Sequence, residues 1–121
     1  MSAHIEPNPG HPIAITPLAG RLRVIWNGKV VAETSRALDL KEASYPVVHY
    51  VPREDADMAL FERTARSTHC PFKGDASYFT LTDGAASADN AVWTYETPYP
   101  AVKQIAGHLA FYPDKVVFER V

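Results

Sequence analysis

"RLRVIWNGKVVAET", residues Arg21 to Thr34, decides the fold class. Leu22, Val24 and Trp26 alternate with polar or smaller neighbours before Asn27-Gly28, and Val30 follows on the other side. Successive side chains of a strand point to opposite faces, so Leu22, Val24 and Trp26 share one face. Asn-Gly between apolar runs is the strongest short-range hairpin cue, because both central residues of a type I′ turn need positive φ. Two strands and a tight turn follow from fourteen residues.

Further strands read outward from this hairpin. "PVVHYVP" (Pro46–Pro52) is apolar and aromatic between two prolines, as a short strand requires. "ASYFTLT" turns at Asp83-Gly84, and "NAVWTYE" is a second aromatic-rich strand after the polar "AASADN". "LAFYPDKVVFERV" reads as two strands around a Pro-Asp turn. Three segments break the pattern. "SRALDLKEAS" (Ser35–Ser44) fits a turn of helix or an irregular crossover. "REDADMALFERTAR" carries acids early and Arg63 and Arg66 late, with Met58, Phe61 and Ala65 on one helical face, and is expected to form a short helix. "TPYPAVKQIAGH" fits one or two helical turns ended by Gly107. The opening "EPNPGHP" is turn-rich, so residues 1–20 are expected to form an arm and residues 21–121 one domain. The expected fold is a mainly β, compact two-sheet antiparallel domain with one or two short helices.

Bulk properties set the functional bounds. The 121 residues suit a single domain, and 46% hydrophobic with 21% charged residues is ordinary globular composition. The net charge of −2, with basic residues scattered among acids, argues against a nucleic-acid partner. No apolar run approaches the roughly 20 residues that span a bilayer, so no membrane partner is expected. The first residues lack the charged and apolar pattern of a secretory signal, and the single cysteine allows no internal disulfide. The expected location is the cytoplasm.

That cysteine lies in "THCPFKGDASYF" (Thr68–Phe79), the stretch richest in chemistry. His69-Cys70 has no second ligand pair downstream, so no metal is expected. Cys70 reads either as a small buried hydrophobe before Pro71 or as a nucleophile activated by His69, Lys73, His49 or His108. Gly74 allows a tight turn or a close ligand approach, and Lys73 a point charge for a phosphate or carboxylate, although no phosphate-loop pattern is present. Asp55 and Asp57 would face different sides of a helix and share no ion. The remaining candidates are Arg36, Glu42, Tyr50, Arg53, Trp93, Tyr95 and His108. Arg36 and Glu42 form a structural ion pair or line a pocket; Trp93 and Tyr95, two apart, form one aromatic wall. His108, beside an apolar run, reads as a core histidine.

The stretches "SRALDLKE", "YPVVHYVPRED", "THCPFKGDASYF", "VWTYETPYP" and "IAGHLAFYPDKV" occur in the order typical of the domain of unknown function 427, which the chain resembles from about Leu22 to Val117. The resemblance implies a β-tent, two antiparallel sheets leaning together over a cleft. Related tent-like folds often carry zinc, for which this sequence lacks the cysteine pairs. A nucleotidyltransferase label is attached to the family in places, without the paired carboxylates here that two-metal chemistry needs. The resemblance carries over Arg36, Glu42, Tyr50, Cys70, Lys73, Gly74, Tyr78, Trp93 and Tyr95 as family positions without assigned catalytic roles.

Three functions therefore stand open. The first is a cleft binding a small anionic or planar ligand, with Lys73 and Arg36 on its charge, Tyr50, Trp93 or Tyr95 stacked on its plane, and Glu42 and Tyr78 alongside. No cofactor is expected. The second is an enzyme or redox sensor dependent on Cys70. The third is a non-enzymatic homodimer burying an aromatic strand face.

Overall fold

The structure is a computed structural model that describes residues 3–121. Ten strands follow in order: β1 (Ile13–Pro17), β2 (Leu22–Trp26), β3 (Lys29–Thr34), β4 (Leu38–Glu42), β5 (Val48–Pro52), β6 (Phe61–Cys70), β7 (Gly74–Thr82), β8 (Ser87–Thr94), β9 (His108–Phe111) and β10 (Val117–Arg120). They form a seven-stranded sheet, β1-β4-β5-β9-β8-β7-β6, and a three-stranded sheet, β10-β2-β3, both antiparallel. The two-sheet, mainly β architecture is the expected one. Among the described residues no helix is long and apolar enough to cross a membrane.

The Arg21–Thr34 hairpin forms as its sequence dictates. Asn27 and Gly28 have φ of 51° and 74°, and Leu22, Val24 and Trp26 are buried. A bulge between Val24 and Ile25 shifts the register, so Val30 lies exposed and Val31 takes the core position.

Three expectations are corrected. The helix expected over "REDADMALFERTAR" is replaced by two single-turn 3-10 segments, Arg53–Asp55 and Met58–Leu60, and then by β6, the longest strand. Ladder bonds to β7 run from Phe61↔Leu81 to Cys70↔Gly74 and override the local helical pattern; Phe61 is buried edge-on to Phe79 and Phe111. Ser35–Ser44 is neither helix nor crossover, since its centre is strand β4 between β1 and β5. The arm, finally, is shorter than residues 1–20. Ile13–Pro17 pairs with β4 as an edge strand, and the Ile5 N–H donates to the Pro71 carbonyl at 2.8 Å. The 100–105 region is 3-10 helix, Pro100–Ile105, with Gly107 at φ 68° after it. Strands β9 and β10, adjacent in sequence, belong to different sheets.

The seven-stranded sheet is apolar on both faces, in different ways. Val51, Phe79, Leu81, Val92, Leu109 and Phe111 pack inward against Leu22, Val24, Trp26 and Val31 of the small sheet. Their neighbours Tyr50, Tyr78 and Ala110 point outward, into a second cluster with Leu40, Tyr95, Val102 and Ile105. Strand β5 divides its pairing. Val48 to Tyr50 bond to β4, whereas Val51 and Pro52 bond to β9. The sheet therefore forks at the start of β5, and the site lies at this fork.

Candidate functional site

The outer face at the fork carries a cavity of about 220 Å³ lined by Leu40, Glu42, Tyr45, Pro46, Val48, Tyr50, Lys73, Tyr78, Trp93, Tyr95 and Tyr112. Six of the seven ligand-binding residues expected from sequence, Glu42, Tyr50, Lys73, Tyr78, Trp93 and Tyr95, are brought together there. Alternation on the strands explains it: Tyr50, Tyr78 and Trp93 each project to the outer face while their neighbours enter the inter-sheet core.

Lys73 comes from the three-residue connection between β6 and β7, which closes at Gly74 with φ 110°. Positive φ there strains any residue with a Cβ. The Tyr99 N–H donates to the Lys73 carbonyl at 3.0 Å, fixing the turn against the segment that leads into the 3-10 helix. The Lys73 side chain is 10% exposed and its Nζ donates to Glu42 Oε1; it also lies 5.9 Å from the Tyr95 ring centroid. Glu42 Oε2 meets His11 Nε2 at 2.7 Å, and the His11 ring stacks on Phe72 with centroids 3.9 Å apart. Burial pushes the Glu42 carboxyl up, but the hydrogen bonds and charge of His11 and Lys73 outweigh it and hold the carboxyl below its ordinary value. A nearly buried charge pair thus floors the cavity.

Tyr50 and Tyr95 are uncharged donors. Burial, with the negative charge of Glu42 adding to it, pushes the Tyr50 hydroxyl well above its ordinary value, and burial does the same to Tyr95. Trp93 Nε1 donates to Tyr50 Oη at 3.3 Å, and the Trp93 and Tyr112 rings lie 4.7 Å apart. Tyr78 Oη meets Thr68 Oγ1 at 2.9 Å, with the Arg66 guanidinium 4.9 Å from the Tyr78 ring.

A larger cavity of about 640 Å³ adjoins the first and shares Glu42, Tyr45, Pro46, Val48, Lys73 and Trp93 with it. It runs into the fork, where Val47, His49, Cys70, Phe111, Pro113 and Phe118 complete its lining. Cys70, at the end of β6, is half-buried and packs against the outer cluster. Cys70 and Lys73 therefore line the same space.

Arg36 stands apart. It bonds to Glu54 at 3.2 Å and Asp55 at 3.1 Å, lines neither cavity and does not pair with Glu42. Arg53 donates to Glu96, and His108 Nδ1 donates to the Ala106 carbonyl at 3.0 Å. Among the described residues no three His, Cys, Asp or Glu side chains converge as a metal site.

His11 and Asp39 had no place among the sequence candidates. His11 sits in a turn-rich segment with no periodicity to mark it. Asp39 faces His49 across β4 and β5, a relation visible only once the register is known.

The fold and site define a small two-sheet β domain with an aromatic-walled cleft over a buried lysine–glutamate pair. The sequence model of the domain of unknown function (DUF427), which also bears the label NTP_transf_9, matches residues 14–121, and the chain belongs to that family. No curated protein matches the chain.

Proposed function

We propose that the cleft binds a small planar molecule, stacked among the aromatic rings with its polar edge on the Lys73–Glu42 pair. The carrying observation is that pair at the floor of a cavity walled by Tyr45, Tyr50, Tyr78, Trp93, Tyr95 and Tyr112. Aromatic walls with a few convergent polar groups are the usual make-up of a ligand site. Lys73 retains ammonium donors beyond the one given to Glu42, and the neutral Tyr50 hydroxyl adds another. Glu42 offers carboxylate lone pairs to a ligand N–H or O–H. An edge carrying both donors and acceptors matches this floor.

Planarity, rather than negative charge, is the selected property. Glu42 already neutralises Lys73, and Arg36, the second expected cation, is engaged with Glu54 and Asp55. The family label agrees with a ligand of this kind, since a nucleobase is a planar ring with a mixed donor–acceptor edge.

A panel of nucleosides, their monophosphates and simple aromatic acids, titrated by calorimetry and tryptophan fluorescence, tests the reading. Binding by at least one planar compound is expected, weakened about tenfold by Trp93→Ala through loss of stacking. Adding a phosphate should gain little. A panel in which nothing binds at millimolar concentration, or in which affinity follows charge and not the ring, overturns it.

A further inference from the structure

The larger cavity is lined by His49, which pairs with Asp39, and the ligand-binding reading uses neither group. Asp39 and His49 are direct cross-strand partners on β4 and β5, and His49 Nδ1 meets Asp39 Oδ1 at 2.5 Å. Both side chains are mostly buried, at 22% and 23% exposure. Phe118 of the small sheet packs edge-on to the imidazole, with centroids 5.2 Å apart, and fixes its plane. His49 lines the cavity, and its Nε2 has no hydrogen-bond partner among the described residues.

A carboxylate on Nδ1 keeps the proton on that nitrogen and leaves the Nε2 lone pair as an acceptor. The rest of the lining combines apolar Pro46, Val47, Val48, Trp93, Phe111, Pro113 and Phe118 with Tyr45, Cys70 and the paired Glu42 and Lys73. Apolar walls suit an uncharged ring, and the Nε2 acceptor suits a hydroxyl on it, whose oxygen can take an ammonium N–H that Lys73 does not give to Glu42.

We infer that Asp39 and His49 form a proton-transfer dyad acting on a small, mostly apolar ring compound with a weakly acidic hydroxyl, of phenol or enol type. The ligand O–H bond breaks, the proton passes to His49 Nε2, and the electron pair stays on the ligand oxygen as an oxyanion beside Lys73. His49 is the residue that touches the ligand, and Asp39 positions it. Reversal returns the proton, so no further reactant is consumed. The inference rests on the reading that the cleft accepts a planar ligand, and its test separates the two.

The probe is 4-nitrophenol, whose phenolate is yellow and whose neutral form is not, added at a pH below its own midpoint. Wild-type protein should bind it, quenching tryptophan fluorescence, and should show the phenolate band. H49Q should still quench fluorescence but show a phenolate signal about tenfold weaker, because Gln cannot take the proton. Nitrogen NMR of the ligand-free imidazole should place the proton on Nδ1 in wild type, and D39N, which loses that bias, should also weaken the phenolate signal, which a purely structural pair would leave unchanged. Equal phenolate signals in wild type and H49Q overturn the dyad and leave the binding reading standing. Absence of nitrophenol binding overturns the dyad alone, because the binding reading stands or falls on the nucleoside and aromatic-acid panel. A ligand-free wild-type imidazole with its proton on Nε2 and none on Nδ1 overturns the dyad even if H49Q does not fold.

Discussion

The two faces of the seven-stranded sheet bury apolar surface to different ends. The inner face meets the three-stranded sheet through Val51, Phe79, Leu81, Val92, Leu109 and Phe111, none of which carries a side-chain polar atom. The outer face, under the Pro100–Ile105 segment and the Lys73 turn, buries Tyr50, Tyr78 and Tyr95 beside a lysine, a glutamate and a histidine. Adjacent residues on a single strand serve the two purposes: Tyr50 beside Val51, Tyr78 beside Phe79. The inner face obtains stability by area alone. The outer face keeps polar groups that must find partners, because an unpartnered buried charge is costly. The sheet is a core on one side, and on the other the proposed ligand floor falls where packing is least complete, around the cavity at the fork.

The comparison breaks most readily at Leu81. This side chain is fully buried in the inner cluster, so Leu81→Ala should cost about 2–5 kcal/mol of stability. Urea unfolding measures the loss, and the folded fraction should bind the same ligands as wild type. A change in ligand selectivity would mean that the two faces are not separable.

Lys73→Met should cost less, about 1–3 kcal/mol, by leaving Glu42 without its lysine partner, and should abolish ligand binding. Replacing both partners, Lys73→Met with Glu42→Leu, should restore most of the stability without restoring binding, since no unpaired charge then remains. Unfolding curves and calorimetry on the single and double variants read the two effects independently. Recovery of binding in the double variant would show that the pair is only a packing feature.

The pH dependence sharpens the contrast further. The Glu42 carboxyl is depressed in the folded state, so its contribution is fully present above the ordinary value of 4.5 and is lost as pH falls through the lower folded value. Wild type should therefore be more stable than Glu42→Gln near neutral pH, and their melting temperatures should converge on acidification. Parallel curves at all pH values would remove Glu42 from the account.

Arg36→Ala gives the smallest effect. Its guanidinium is exposed between Glu54 and Asp55, outside both cavities, so ligand titrations should be unchanged. Weakened binding would mean that the ligand extends to that surface.

Local chemistry made part of this legible. Asn27-Gly28 could only make a tight hairpin, and the spacing of Trp93 and Tyr95 put both rings on one wall. Such signals act over two to six residues and need no distant partner. The helical pattern of Met58, Phe61 and Ala65 was equally local and yielded to the ladder between β6 and β7. Local propensity is worth tenths of a kilocalorie per residue, and a long ladder with a buried aromatic outweighs it.

By itself, then, the sequence determined a mainly β fold, its first hairpin, and a set of aromatic and charged residues of which six line one cavity. Only the tertiary structure decided that Arg36 lies elsewhere, that His11 closes on Glu42 from the turn-rich residues ahead of β1, and that Asp39 faces His49. Each of these depends on which strands pair and in which register. Between β1 and β4, and between β4 and β5, that choice is made by contacts across the sheet, and no short stretch of chain contains it.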